Sequence, residues 1–335
     1  MSQLDLLATG MGLSHPWGGK DLGMAVGRPG DPLDAGLQVL LLIGVMQAAY
    51  MALPLALDLA RPDSSTERRW AALATGLAVA SATAMGLAAS VSTLLSHRLS
   101  GGGITGLFSA TYATTVALIA LAAQIPGRGD SAGSWLAELR ALTLPHAVAR
   151  AALLLWTVGA GWLLIDAFGL RPLGFAASIV RLTAIHFHYA AFIVPVIAAH
   201  VARAHPSSLG RAAAVVSVLG APSTAIGITA VQRGAPLWLE ALFALPMIGG
   251  ALLVAAVHLR MAIGAQGQAL STTVRGLRLV VGICLLGTML LAAAYAGRGS
   301  LFWSPTILQM ALWHGVGNAL GVAFCGLVAC RLDRR

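Results

Sequence analysis

The chain has 335 residues, of which 58% are hydrophobic and only 10% are charged, whereas a soluble domain carries about 25% charged residues. These proportions exclude a soluble globular protein. The 21 Lys and Arg residues outnumber the 12 Asp and Glu residues, but most of them fall in short loops between apolar runs. They therefore indicate membrane topology, and nucleic acid is not expected as a partner.

Apolar runs recur along the chain, each of about 20 residues or more, the length that an α-helix needs to cross a bilayer core about 30 Å thick. They predict an all-α fold, a polytopic transmembrane helical bundle of about nine spans. The alternating pattern of an outer-membrane barrel does not occur. The predicted spans are about 36–60, 69–95, 104–124, 146–168, 176–203, 208–231, 236–257, 275–296 and 306–330.

Three regions are expected: a polar N-terminal arm at 1–35, a single transmembrane domain at 36–330 and a basic tail at 331–335. The arm lacks the basic start and early apolar core of a cleaved signal. Fourteen Lys and Arg residues fall on the side of the C-terminus and seven on the other. This bias predicts a cytoplasmic C-terminus and an outside N-terminal arm, in the inner (plasma) membrane of a bacterium.

The stretch LTAIHFHYAAF places His186 and His188 inside span 5, about 15 to 18 Å from its outer end at 1.5 Å per residue. His314, in QMALWHGVGNALG of span 9, lies at a similar depth. Charged or titratable groups cost about 2.5 to 3.5 kcal/mol in hydrocarbon, so each one inside a span is a functional candidate. Two spans that are distant in sequence thus place imidazoles in one layer.

More polar residues are expected in the same half of the membrane, and they predict a polar cavity between spans 4, 5, 7 and 9. The candidate catalytic residues are His186, His188, His314, Asp166 and Glu240, and the candidate substrate-binding residues are Tyr189, Arg181, Gln309, Trp313, Asn318 and Gln47.

Residues two apart on an α-helix point about 200° apart, so His186 and His188 cannot both face one site on a regular helix. Span 5 is then central, or it is locally unwound beside a cavity, or one of its histidines is structural. Other residues receive structural interpretations. Helix kinks are expected at the prolines inside the spans, which are Pro54, Pro195, Pro222 and Pro246. Five histidines at predicted span ends or in loops are expected to be solvated there: His97, His146, His200, His205 and His258.

The motifs LTAIHFHYAAF and ALWHGVGNALGVAFCGL, with ALPLAL at the end of the first span, resemble the YndJ-like family of bacterial integral membrane proteins. The resemblance extends over most of the chain in layout and is specific in the two His-bearing motifs. Trp313 stands where the resemblance leads us to expect Thr. The positions that it highlights are His186, His188, Tyr189, His314, Gly315, Asn318 and Gly321.

The first functional hypothesis is an enzyme that acts on a lipophilic small molecule entering from the membrane lipid. Imidazoles exchange protons near neutral pH, and carboxylates in a low-dielectric site can act as acids. Asp166 or Glu240 as acid and His186 or His314 as base would suit isomerisation, cyclisation or epoxide opening.

No cofactor is predicted, but three alternatives are open. In a metal-dependent oxidoreductase, His186, His314 and a carboxylate would bind iron, zinc or copper. In a proton-coupled transporter, the buried polar groups would form a relay. A structural or haem-binding subunit is the third alternative.

Overall fold

The computed structural model describes residues 32–60, 65–94, 102–125, 143–264, 269–298 and 300–333. Within these ranges the chain forms helices and short connections, without a strand. The expected N-terminal arm lies almost wholly outside the described residues, as do the last two residues of the basic tail.

Nine helices of the described part of the chain are long and apolar enough to cross a membrane, which confirms the expected multi-pass, all-α fold. Helices suit these sequences because each one satisfies its own backbone polar groups in lipid. Their ends agree with the predicted spans to within a few residues, the largest difference being at the end of α7. They are α1 (Leu33–Ala60), α2 (Ser65–Leu94), α3 (Gly102–Gln124), α4 (Leu144–Ala167), α5 (Ala177–Ala204), α6 (Ser208–Gln232), α7 (Leu237–Ile263), α8 (Thr272–Ala296) and α9 (Ile307–Leu332).

Three helices widen into π-helical segments near their middle. Pro54 and Pro195 lie just beyond the segments of α1 and α5. A proline ring clashes with the carbonyl four residues earlier and donates no hydrogen bond, so a wider turn before it relieves the clash. In α9 the segments coincide instead with a glycine-rich sequence. The segments are Gln47–Ala52, Tyr189–Ile193, Met310–Gly315 and Gly317–Phe324.

The helices pack as two flanks around a centre. In the centre, α1 contacts both α5 and α9, and the π-helical segments of the three helices touch one another. On one flank α2, α3 and α4 pack in sequence against α5. On the other flank α6, α7 and α8 pack as antiparallel neighbours and α8 packs on α9. This arrangement leaves space between α5 and the pair α7 and α8.

Glycines let α6 and α7 approach closely. A Cβ built on Gly250 would lie 3.0 Å from the Val216 carbonyl carbon, whereas one on the adjacent Gly249 would meet nothing within 4 Å. The α6–α7 contact therefore depends on Gly250 and not on Gly249.

We expect Gly250→Ala to destabilise the protein by about 1 to 3 kcal/mol, because backbone atoms of α6 would have to move to accept the methyl group. Thermal unfolding in detergent measures the loss. Gly249→Ala is the matched control, and we expect it to keep or raise stability because Ala favours helix over Gly. Equal melting temperatures for the two variants would contradict this role of Gly250.

A buried polar cluster lies where the odd-numbered helices end. Arg278 of α8 is fully buried and donates from Nη2 to Oδ2 of Asp333 over 2.6 Å, and Nε2 of His205 lies 2.8 Å from the same oxygen. His200 and His258 are 2% and 0% exposed. The expectation that these two histidines are solvated at the membrane interface is therefore wrong. For His258 the reason is that α7 continues six residues beyond the predicted span end, whereas His200 lay within the predicted span 5 and faces neighbouring helices.

Candidate functional site

An elongated cavity of about 240 Å³ lies inside the bundle. It extends from Glu240 and Tyr295, near the end where the odd-numbered helices begin, to Ser217 and Asn318 near the middle. Its wall is mostly aliphatic and aromatic, with a few polar groups, the usual composition of a small-molecule site.

The helices around the cavity differ in part from those expected. Described residues of α1, α5, α6, α7, α8 and α9 line it, whereas no described residue of α4 does. The predicted set of spans 4, 5, 7 and 9 is therefore corrected, because α4 packs against the opposite face of α5. The predicted polar wall is corrected too, since apolar side chains cover most of it.

His186 of α5 and His314 of α9 meet at the cavity. Their ring centroids lie 6.3 Å apart with 29° between the ring planes, and both side chains line the cavity wall. The structure thus brings together two of the three candidate histidines from helices that are distant in sequence.

Backbone carbonyls fix both rings. Nδ1 of His186 lies 2.8 Å from the carbonyl oxygen of Leu182, and Nδ1 of His314 lies 2.9 Å from that of Thr288. A carbonyl oxygen only accepts, so each Nδ1 carries the donated hydrogen. Each neutral ring then has its lone pair on Nε2, and neither Nε2 has a hydrogen-bond partner among the described residues. The site therefore presents two basic nitrogens.

Thr288 of α8 contacts two residues of the site, His314 and Asn318. Its hydroxyl donates to Oδ1 of Asn318 over 3.1 Å, while its carbonyl holds His314. Asn318 lines the cavity one turn beyond His314. Because Oδ1 already accepts from the protein, the Asn318 amide nitrogen is the group available to a ligand. Sequence reasoning missed Thr288, since an ordinary Thr in an apolar helix carries no signal of this role.

Tyr189 stands at the wall near the middle of α5. Its hydroxyl donates to the carbonyl oxygen of Leu40 over 3.1 Å. Its ring packs directly against Gly44, since a Cβ built on Gly44 would lie only 2.7 Å from the ring. Tyr189 thus joins α5 to α1 and shapes the cavity with its ring.

His188 faces away from the cavity, as the spacing of two from His186 requires. Its Nδ1 lies 2.8 Å from the carbonyl oxygen of Ala184, and its Nε2 accepts from the Tyr112 hydroxyl over 3.0 Å. The Trp156 indole N–H donates to the same hydroxyl over 3.1 Å. All three side chains are fully buried. This network joins α3, α4 and α5 and leaves His188 no free nitrogen for a ligand.

Asp166 and Arg181 belong to an ion cluster beside the cavity. Nε of Arg181 lies 2.8 Å from Oδ2 of Asp166, and Nη1 contacts Oδ1 of Asp34. The Gln38 amide donates to the other Asp34 oxygen over 3.2 Å. None of these side chains lines the cavity. The cluster joins α1, α4 and α5, and sequence reasoning missed Asp34 because it lies within the predicted polar arm.

Glu240 does line the cavity, at the end where α7 begins. Both of its oxygens accept from Arg298, at 3.0 Å from Nη1 and 2.8 Å from Nη2. The guanidinium also covers the Tyr295 ring, 4.4 Å from its centroid. A carboxylate held in this bidentate way has no oxygen free to deliver a proton to a ligand. Arg298 was expected in a loop, and its role had no sequence signal.

The three remaining candidates lie outside the cavity wall. The Gln47 amide donates to the carbonyl oxygen of Ala319 over 3.0 Å, which joins the π-helical segments of α1 and α9. Gln309 forms a capping box with Thr306 at the start of α9. Trp313 is 68% exposed on the outer surface of the bundle, where an indole suits a lipid environment.

Among the described residues, no group of three or more His, Cys, Asp or Glu side chains could hold a metal ion. The three-ligand set of His186, His314 and a carboxylate is therefore not assembled. Glu240, the candidate carboxylate that lines the cavity, has both of its oxygens hydrogen-bonded to Arg298.

A family model described as YndJ-like protein matches residues 41–322. This range includes LTAIHFHYAAF and the part of the second motif that holds His314 and Asn318. It covers every cavity-lining residue except Leu37, Leu40 and Ala323. No curated protein and no solved structure matches the chain.

Proposed function

Since the chain belongs to the YndJ-like protein family, a name that states no activity, we propose from the site itself that the protein is an intramembrane enzyme that converts a lipophilic small molecule. The observation that carries this proposal is the pair of His186 and His314, 6.3 Å apart at the wall of an apolar cavity.

The pair supports acid and base catalysis. One imidazole takes a proton from the substrate at Nε2, and the other, entering the cycle protonated, returns a proton at a second position. Transfer of a proton from the first ring to the second after the product leaves restores the starting state. The substrate then changes its bonding without net gain or loss of a proton, as in an isomerisation or cyclisation. General acid and base catalysis of this kind contributes about 10²- to 10⁴-fold to rate.

The carboxylates take other roles in this proposal. Glu240 is paired with Arg298, and Asp166 is paired with Arg181 beside the cavity. We therefore assign the proton transfers to the imidazoles alone. The Asn318 amide nitrogen lies in the wall beyond His314 and orients an oxygen atom of the substrate.

The substrate class follows from the wall. An elongated apolar cavity favours a long lipophilic molecule with a polar group part of the way along it, opposite the imidazoles. Such a molecule partitions into membrane lipid, from which it would enter between helices.

A second candidate, proton-coupled transport, is favoured by one observation: π-helical segments of α1, α5 and α9 meet near mid-span. Interrupted helices near the bilayer midplane accompany substrate sites in many transporters. Flux through proteoliposomes would detect this activity, and transport without chemical change would replace the enzyme proposal.

We also propose that the protein lies in a bacterial plasma membrane with the C-terminus in the cytoplasm. The twofold excess of Lys and Arg on that side supports this orientation. Reporter fusions at the two termini check it.

The proposed activity is tested by comparing lipid extracts of cells that express the wild type, His186→Gln, His314→Gln or His146→Gln. We expect each cavity variant to accumulate a substrate and lose its product, separated by chromatography because isomers share a mass. Incubation of wild-type membranes with the accumulated substrate in deuterated water should also place deuterium in the product, at the position that receives the returned proton. His146 lies at the start of α4 and contacts Thr143, so its variant should match the wild type. Identical extracts from all four strains, with equal amounts of folded protein, would refute the proposal.

A further inference from the structure

We propose that the imidazole pair and methionines of the same cavity wall form a site for a soft monovalent cation, Cu(I). This inference goes beyond the proposed function, because it gives the same two nitrogens a ligand other than a proton. A nitrogen that binds the ion cannot carry a proton at the same time, so the ion and the substrate would use the pair as alternatives.

The imidazole geometry fits metal coordination. Histidines that bind metals almost always donate their other ring N–H to a carbonyl or carboxylate, which fixes the ring. Both Nδ1 atoms here donate to backbone carbonyls, of Leu182 and Thr288. The two ring centroids lie 6.3 Å apart, near the upper limit that two metal–nitrogen bonds of about 2 Å can span. Coordination of a third, sulfur ligand therefore draws the two rings closer together.

Methionines supply sulfur at the same wall. Met310 lies four residues before His314 in the same π-helical segment and lines the cavity. Met289 follows Thr288, is 5% exposed and lines the cavity too. Thioether sulfur is a soft ligand that selects Cu(I), and imidazole also binds copper. The third ligand of this set is a methionine, so the set is compatible with the absence of a cluster of three His, Cys, Asp or Glu side chains among the described residues.

Charge decides between monovalent and divalent ions. The ligands proposed here are all neutral, and the cavity carboxylate of Glu240 is neutralised by Arg298. A divalent ion would bring two uncompensated charges into an apolar wall, where charge is costly. Cu(I) brings one, and as a soft ion it accepts nitrogen and thioether ligands without a carboxylate. Zinc and ferrous iron are therefore disfavoured at this pair.

The site is tested by titrating purified, tag-free protein in detergent with Cu(I) under anaerobic, reducing conditions against a chromogenic Cu(I) chelator. We expect one equivalent to be retained by the wild type. His186→Gln and His314→Gln should each lower the affinity by about 100-fold or more, since outer-shell partners alone are worth about 10- to 100-fold. Met310→Leu, which preserves shape, should cause a smaller loss. X-ray absorption should show nitrogen and sulfur ligands together.

Controls separate this site from thiols and from other histidines. His146→Gln and the double variant Cys284→Ala/Cys325→Ala should bind as the wild type does, because these side chains do not line the cavity. Failure of the wild type to compete with the chelator, or full affinity in both cavity histidine variants, would overturn the inference. Either result leaves the enzyme proposal intact, since that proposal is tested by lipid products.

Discussion

Arg181→Gln is expected to destabilise the protein by about 3 to 5 kcal/mol, because it leaves two partly buried carboxylates without their cation. The side chains of Asp166 and Asp34 are 10% and 32% exposed, so Asp166 suffers most. Thermal unfolding in detergent measures the loss. The triple variant Asp34→Asn/Asp166→Asn/Arg181→Gln should recover much of it, because no unpaired charge remains.

Arg171→Gln is the matched control, since Arg171 is exposed and donates only to the neighbouring Leu170 carbonyl among the described residues. We expect a change of less than about 0.5 kcal/mol, as for other surface substitutions. If Arg181→Gln had the same melting temperature as Arg171→Gln, the ion cluster that joins α1, α4 and α5 would have no role in stability.

Arg298→Gln should produce a comparable loss, about 3 to 5 kcal/mol, at the other end of the cavity. It leaves the Glu240 carboxylate, whose side chain is 6% exposed, facing an apolar wall. Adding Glu240→Gln to this variant should restore stability in part, since two neutral amides can replace the ion pair. A double-mutant cycle measures the coupling between the two residues.

Arg233→Gln provides the comparison for this pair, because Arg233 is exposed just beyond the end of α6. Additive effects of Glu240→Gln and Arg298→Gln would show that the two side chains do not depend on each other, contrary to the bidentate contact.

The fold was largely readable from the chain because lipid restricts the choices. Any run long enough to cross the bilayer must be a helix there, so hydropathy alone placed α1 to α9. The π-helical segments were harder to predict from the sequence. Prolines marked two of them, but the sequence cannot tell a widened turn at Pro54 or Pro195 from a kink, and Pro222 and Pro246 lie inside continuous α-helices.

The candidate site was readable only in part. Depth along span 5 and span 9 placed His186 and His314 in one layer. Spacing showed that a regular helix cannot turn both His186 and His188 to one site, but it did not show which of the two faces the cavity, and His188 stayed among the catalytic candidates. Depth does not give direction around a helix, so Trp313 and Gln309 were grouped with His314 although they do not line the cavity. Tyr112 and Arg298 could not be predicted as partners of His188 and Glu240. These contacts depend on how distant helices pack, and no local sequence pattern indicates that packing.

The widened turns of α9 have a consequence for relatives of this chain. Each residue of an ordinary helix advances about 100° around its axis, whereas a π turn is wider and accommodates one additional residue locally, so the helix beyond it keeps its direction. A relative that lacked one residue within Met310–Gly315 could close this segment into an ordinary helical turn without rotating the rest of α9. The side chain aligned with Asn318 would then still face the chamber, so a one-residue gap at this place is compatible with an unchanged set of groups around a ligand.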